Sequence, residues 1–203
     1  MPLIQRALLT FFALILLTAC EEGATLSKLG PQDVILAFGD SLTFGTGATP
    51  QTAYPAQLAE RIGRPVINAG VPGETTTDAL ARLPQVMDQY RPKLVLLCLG
   101  GNDMLRQQAT SNIEHNLRAL IKTIQDRNAA VVLIGVPEPS LFGGAPAFYA
   151  EIADELKLPY EGEVFNEVLK NPNLKSDPIH ANDQGYQLVA QRLADLLKSS
   201  GAL

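Results

Sequence analysis

The chain has 203 residues, 46% of them hydrophobic and 18% charged, with a formal net charge of −5. That length and apolar content suit one domain with a sizeable core and exclude a disordered or fibrous chain. Lysines and arginines form no cluster, so nucleic acid is not an expected partner.

The N-terminus stands apart from the rest. Arg6 precedes an apolar run, Ala7 to Leu17, which is short for a membrane span and ends in Leu17-Thr18-Ala19-Cys20. A charged start, a short apolar stretch and small residues at its end read as an export signal. The Leu-Thr-Ala-Cys ending resembles the bacterial lipoprotein signal. That resemblance implies cleavage after residue 19, lipidation of Cys20 and attachment to a membrane, with 20–32 as a short tether. Glu21 after the cysteine points, by the same analogy, to the outer membrane and a site facing the periplasm. The alternatives are an ordinary signal peptide or an uncleaved anchor.

Beyond the tether, apolar runs at 33–38, 65–69, 94–99 and 130–136 read as strands buried on both faces, since they are continuous rather than alternating. Cys98 lies within the third and is expected to be a buried thiol. Helical patterns separate the runs: 55–62, then 78–90 with an interruption at Pro84, then a stripe of Ile113, Leu117, Leu120, Ile121 and Ile124. Further helices are expected over 146–157 and 183–198, and a weak fifth strand over 158–161. Strands alternating with helices predict an α/β domain over 33–203, a parallel sheet with helices on both faces. In such sheets ligands gather at the carboxyl ends of the strands.

Three strand ends carry glycine and a small polar group: Gly39-Asp40-Ser41-Leu42, Asn68-Ala69-Gly70-Val71-Pro72-Gly73, and Gly100-Gly101-Asn102-Asp103. Ser41 follows a buried strand directly and is either a helix N-cap or an exposed nucleophile. A serine nucleophile needs a base, and the base needs a partner that fixes its tautomer. The chain has 2 histidines. His115 lies off the apolar stripe of its helix and reads as solvated, which leaves His180 as the base, with Asp177 three residues before it. Ser41 and Gly73 can offer backbone N–H groups, and Asn102 a side-chain amide, to a developing oxyanion. Taken singly, Gly73 and Asn102 also suit ordinary turns. The usual Gly-x-Ser-x-Gly nucleophile elbow is absent. No His-x-x-x-His occurs, and neither a metal nor a cofactor is expected.

Gly-Asp-Ser-Leu at Ser41, Gly73, Gly-Gly-Asn-Asp at Asn102 and Asp-Pro-Ile-His at His180 together resemble the four blocks of the SGNH (GDSL) hydrolase family, in order and spacing, over essentially all of 33–198. Asn68-Ala-Gly-Val-Pro-Gly-Glu-Thr and Ala81-Arg82-Leu83-Pro84 are similar to its bacterial thioesterase/lysophospholipase/arylesterase subgroup. The resemblance implies a three-layer α/β/α fold with a five-stranded flavodoxin-like sheet, order 2-1-3-4-5. It implies hydrolysis of esters or thioesters through an acyl-enzyme, without a metal. Ser41, Asp177 and His180 would form the triad, and Ser41, Gly73 and Asn102 the oxyanion hole.

The segment 137–150, with Gly143-Gly144, departs from a well-defined acyl site and reads as a mobile flap. Leu105, Phe142 and Ile179 are either acyl-site or packing residues. The leading expectation is a membrane-anchored esterase for short or medium acyl chains, lysophospholipids among its candidate substrates. The others are an O-acetyl deacetylase of cell-wall or surface polysaccharide, and a lipoprotein that binds without catalysis.

Overall fold

A computed structural model describes residues 24–138 and 143–203. Five parallel strands form one sheet: β1 (Ile35–Gly39), β2 (Val66–Gly70), β3 (Leu94–Cys98), β4 (Ala130–Ile134) and β5 (Tyr160–Glu161). Their order is β2-β1-β3-β4-β5, as expected. Every residue of β1 and β3 is buried, which is why these strands read as unbroken apolar runs. β2 departs from that expectation. It is an edge strand, only half-buried, and its Asn68 is exposed. The Asn68 side chain donates to the Phe44 carbonyl (3.1 Å) and accepts from Gly70 N–H (3.0 Å), so the polar residue bridges strand and loop instead of filling a core.

Eight helices accompany the sheet among the described residues: α1 (Ser41–Phe44), α2 (Tyr54–Ile62), α3 (Thr76–Tyr90), α4 (Gly101–Leu105), α5 (Thr110–Gln125), α6 (Ala147–Leu156), α7 (Val164–Lys170) and α8 (Asp183–Ser199). α3 runs unbroken through Pro84, where an interruption was expected. A proline inside a helix costs about 3 kcal/mol. Here a reciprocal cap between Thr75 and Asp78 and the buried face of Ala79, Leu83, Val86 and Met87 offset that cost. α7 was not legible as a helix, because only two turns of it carry the buried set Val164, Phe165 and Val168.

The domain begins earlier than residue 33. Leu26 N–H donates to the Ser200 carbonyl (2.7 Å) and Leu29 N–H to the Ala202 carbonyl (2.9 Å), with the Leu29 side chain buried. Part of the stretch expected as a tether is thus fastened to the C-terminal end of α8. Cys20 lies outside the described residues.

Strand register sets where the loops begin. Gly39 pairs with Gly70 on one side and with Cys98 on the other, so three strands end in one row. At Gly70 the backbone of α1, at Thr43 and Phe44, fills the place a Cβ would take. Gly70→Ala is expected to push α1 off β2 and to lower the unfolding free energy by about 1–3 kcal/mol, as overpacking does. Urea denaturation of the variant checks this.

Candidate functional site

The first block builds outward from β1. Asp40 is the N-cap of α1, and its Oδ1 accepts from Leu42 N–H (3.0 Å). Ser41 is therefore the first residue of a one-turn helix, at the carboxyl edge of the sheet. Ser41 N–H has no hydrogen-bond acceptor among the described residues, as befits a first-turn amide. Buried Tyr54 holds this turn in place through its hydroxyl, 3.2 Å from Thr43 Oγ1.

The last block lies 139 residues away in sequence. A single antiparallel bridge, Lys175 to Ala181, closes the loop that carries it, and Ser176 N–H donates to the His180 carbonyl (2.9 Å). Asp177 Oδ1 accepts from the backbone N–H of Ile179 and of His180, each at 2.9 Å. Its Oδ2 stands 2.7 Å from His180 Nδ1, and His180 Nε2 stands 3.0 Å from Ser41 Oγ. Carboxylate, imidazole and hydroxyl thus form one continuous chain. Partial burial pushes the Asp177 carboxyl upward, but the hydrogen bonds from the His180 ring and from the two backbone N–H groups outweigh it, and the net shift is downward. Asp177 is held ionised beside the ring.

The two middle blocks close in from the neighbouring strand ends. Gly73 has φ +80, which favours glycine, and a Cβ there would meet open space. Its N–H has no acceptor among the described residues, while its carbonyl accepts from Arg106 (3.0 Å). Asn102 Nδ2 donates to the Glu74 carbonyl (3.0 Å) and to Asp40 Oδ2 (3.3 Å). Behind them Asp103 is fully buried and accepts from Thr76 N–H (2.9 Å) and Thr76 Oγ1 (2.6 Å), which ties α4 to the start of α3.

Ser41, Gly73, Asn102 and His180 line one cavity of about 710 Å³. Leu105 and Ile179 line it as well and are 47% and 37% exposed, so they are wall residues rather than packing residues. Val136, Pro137 and Leu169 extend the apolar wall, with Asn166, Lys170 and Lys175 on the α7 side. Phe142 lies outside the described residues. At the base of its loop, Glu138 N–H donates to the Gly144 carbonyl (3.0 Å). Leu169, Lys170 and Lys175 were not apparent from the sequence, because α7 and the loop after it carry no recognisable motif. His115 is exposed on α5. Among the described residues, no group of three or more His, Cys, Asp or Glu could hold a metal ion.

Asp40 belongs to the site as well, although the first block by itself gives it no role. It is 2% exposed, with Glu74 and Asp103 also buried nearby. Burial raises its pKa from 3.8 to about 7, and the neighbouring Glu74 and Asp103 carboxyls add to the rise, against the Leu42 N–H bond that lowers it. Arg82 compensates part of this negative cluster. Its guanidinium forks onto both Glu74 oxygens at 2.6 Å and lies 4.2 Å over the Phe38 ring.

A carboxyl whose folded pKa exceeds its unfolded one binds more protons when folded, so it loses stability as pH rises between the two values. Wild-type protein should therefore lose stability relative to Asp40→Asn as pH climbs from about 4 to about 7. Urea denaturation of both proteins at pH 5 and pH 8 measures this, and a pH-independent difference would contradict it.

The comparisons with known proteins agree with this geometry. Residues 37–188 match the model of the GDSL-like Lipase/Acylhydrolase family. The chain is 31% identical over 198 residues to the thioesterase 1/protease 1/lysophospholipase L1 of Escherichia coli K12, covering 94% of this chain and 91% of that protein. It is 30% identical over 174 residues to an arylesterase of Vibrio mimicus, covering 80% and 87% respectively. The crystal structure of the psychrotrophic esterase EstA from Pseudoalteromonas sp. superposes with a TM-score of 0.75 at 26% identity, covering 82% of this chain and 97% of that one. With the family pattern spanning most of its length and its sheet order matching, the chain belongs to the GDSL-like lipase/acylhydrolase family, the SGNH hydrolases.

Proposed function

We propose that the protein is a serine esterase. It hydrolyses carboxylic esters, and thioesters, of short to medium acyl chains through an acyl-enzyme. The observation that carries this reading is the unbroken chain from Asp177 through His180 to Ser41, opening into a cavity with an apolar wall. Ser41 Oγ attacks the carbonyl carbon as His180 Nε2 takes its proton. Asp177 holds the other ring nitrogen and stabilises the imidazolium that forms. The oxyanion lies among the N–H groups of Ser41 and Gly73 and the Asn102 amide. The Asn102 amide is engaged by the Glu74 carbonyl and by Asp40 Oδ2, so one of these two contacts gives way when the oxyanion binds. His180 then protonates the leaving alcohol, and water attacks the acyl-enzyme in the reverse sequence.

The apolar wall of Leu105, Val136, Leu169 and Ile179 favours an acyl chain over the polar, open cleft that a polysaccharide deacetylase requires. A binding module has no use for an imidazole aligned between a carboxylate and a hydroxyl. The Leu-Thr-Ala-Cys ending supports export and lipidation at Cys20, with Glu21 favouring the outer membrane and a periplasmic site. An acyl chain stabilises membrane attachment by about 0.8 kcal/mol per CH₂, so a multiply acylated Cys20 suffices as an anchor.

A chain-length series of nitrophenyl esters tests the reaction. Hexanoyl or longer esters are expected to be preferred over acetyl. Ser41→Ala and His180→Ala should each lose at least about 10³-fold in kcat, and Asn102→Ala about 10²–10³-fold. Activity that survives both triad variants would remove the mechanism. Separately, Cys20→Ser should release the protein from membranes on fractionation. Retention of a normally processed Cys20→Ser protein would remove the anchor.

A further inference from the structure

We infer that the mouth of the site faces away from the membrane that holds Cys20, so the enzyme takes its ester from the water side and not from its own leaflet. This rests on the esterase and lipid-anchor readings above and adds an orientation to them.

Two lengths decide the orientation, that of α8 and that of the N-terminal connection. α8 begins at Asp183, directly after the loop that presents His180, and its 17 residues run back to Ser199. At about 1.5 Å per residue it is about 26 Å long. Its far end is where the N-terminal segment is fastened. Leu26 N–H donates to Ser200 and Leu29 N–H to Ala202. Arg64 donates to the carbonyls of Leu29 (3.2 Å) and Gly30 (3.3 Å), and Gly30 N–H to Asp33 (2.7 Å). Leu26, Leu29, Asp33, Lys93 and Ala130 share one cavity, so this is the edge where the strands start. The chain therefore enters the domain at the pole opposite the triad.

From Cys20 to Leu26 the sequence offers six residues. They reach about 21 Å at full extension and about 14 Å as a flexible chain. Turning the mouth squarely onto the anchoring bilayer, with α8 along the bilayer normal, would lift the fastened pole by about the length of α8, which exceeds the reach of the connection. The large exposed apolar side chains of the described residues, Phe44, Val71, Leu105 and Ile179, all follow strand ends or adjoin His180. Leu105 and Ile179 line the mouth itself, on the side that cannot reach the anchoring bilayer. The substrate is therefore an ester with an apolar acyl group that arrives through water.

The test uses the lipidated protein, purified from membranes and reconstituted into phospholipid vesicles, beside a variant with about 20 Gly/Ser residues inserted after Gly23. Each is assayed on soluble nitrophenyl butyrate and on a two-chain phospholipid carrying a fluorogenic short-chain ester on its headgroup in the same vesicles. The expected result is equal turnover of the soluble ester, and at least about 10-fold faster hydrolysis of the embedded ester by the lengthened variant. A lengthened variant no faster than wild type on the embedded ester overturns the inference. Failure of the wild type to float with the vesicles refutes the anchor, and the orientation with it. Failure on the soluble ester refutes the esterase reading while leaving the flotation result standing.

Discussion

Everything at the site follows from three strands ending level. Gly39, Gly70 and Cys98 occupy one row of the parallel sheet, so the loops after β1, β2 and β3 start from a common line. Parallel strands point the same way, and their carboxyl ends therefore face a single edge. Glycine in the row lets α1 settle against β2, with backbone where a side chain would otherwise stand. Without that close approach, Ser41 would not lie within 3.0 Å of an imidazole delivered from the other end of the chain.

The loops that leave this row are held by hydroxyls buried beneath them. Tyr54 meets Thr43 beside Ser41, Tyr149 donates to the Leu99 carbonyl (2.7 Å) just before the Asn102 block, and Tyr186 donates to the Thr46 carbonyl (2.9 Å). A buried hydroxyl left without a partner costs about 1–3 kcal/mol. Each tyrosine thus penalises movement of its loop. The buried carboxyls are partnered in the same way: Asp103 accepts from Thr76, Glu74 from Arg82, and Asp40 from Leu42 and Asn102.

Much of this was legible in the sequence, and for identifiable reasons. β1 and β3 are covered on both faces, so their composition alone marks them. β2 lies at an edge and is only half-buried, which the reading of 65–69 as a strand covered on both faces missed. Pro84 predicts a break in isolation, but tertiary packing of Leu83 and Val86 overrides local preference. Two histidines narrowed the choice of base, and a short-range turn at Asp177 made its pairing with His180 visible. The cavity wall was less accessible. Leu169, Lys170 and Lys175 come from a two-turn helix and a loop whose placement depends on packing against α8, and no local pattern encodes that. Asp40 was hidden for a different reason: its place beside Ser41 suggested a motif letter, whereas its behaviour comes from burial next to Glu74 and Asp103.

The tyrosines bear on how the protein can be observed. The chain has no tryptophan and 5 tyrosines, so its near-ultraviolet absorbance and intrinsic emission come chiefly from phenol rings. Three of those rings sit buried under the loops beside Ser41 and Asn102. The molecule therefore carries phenol reporters concentrated beneath the loops of its own site, where no attached dye is needed to observe them.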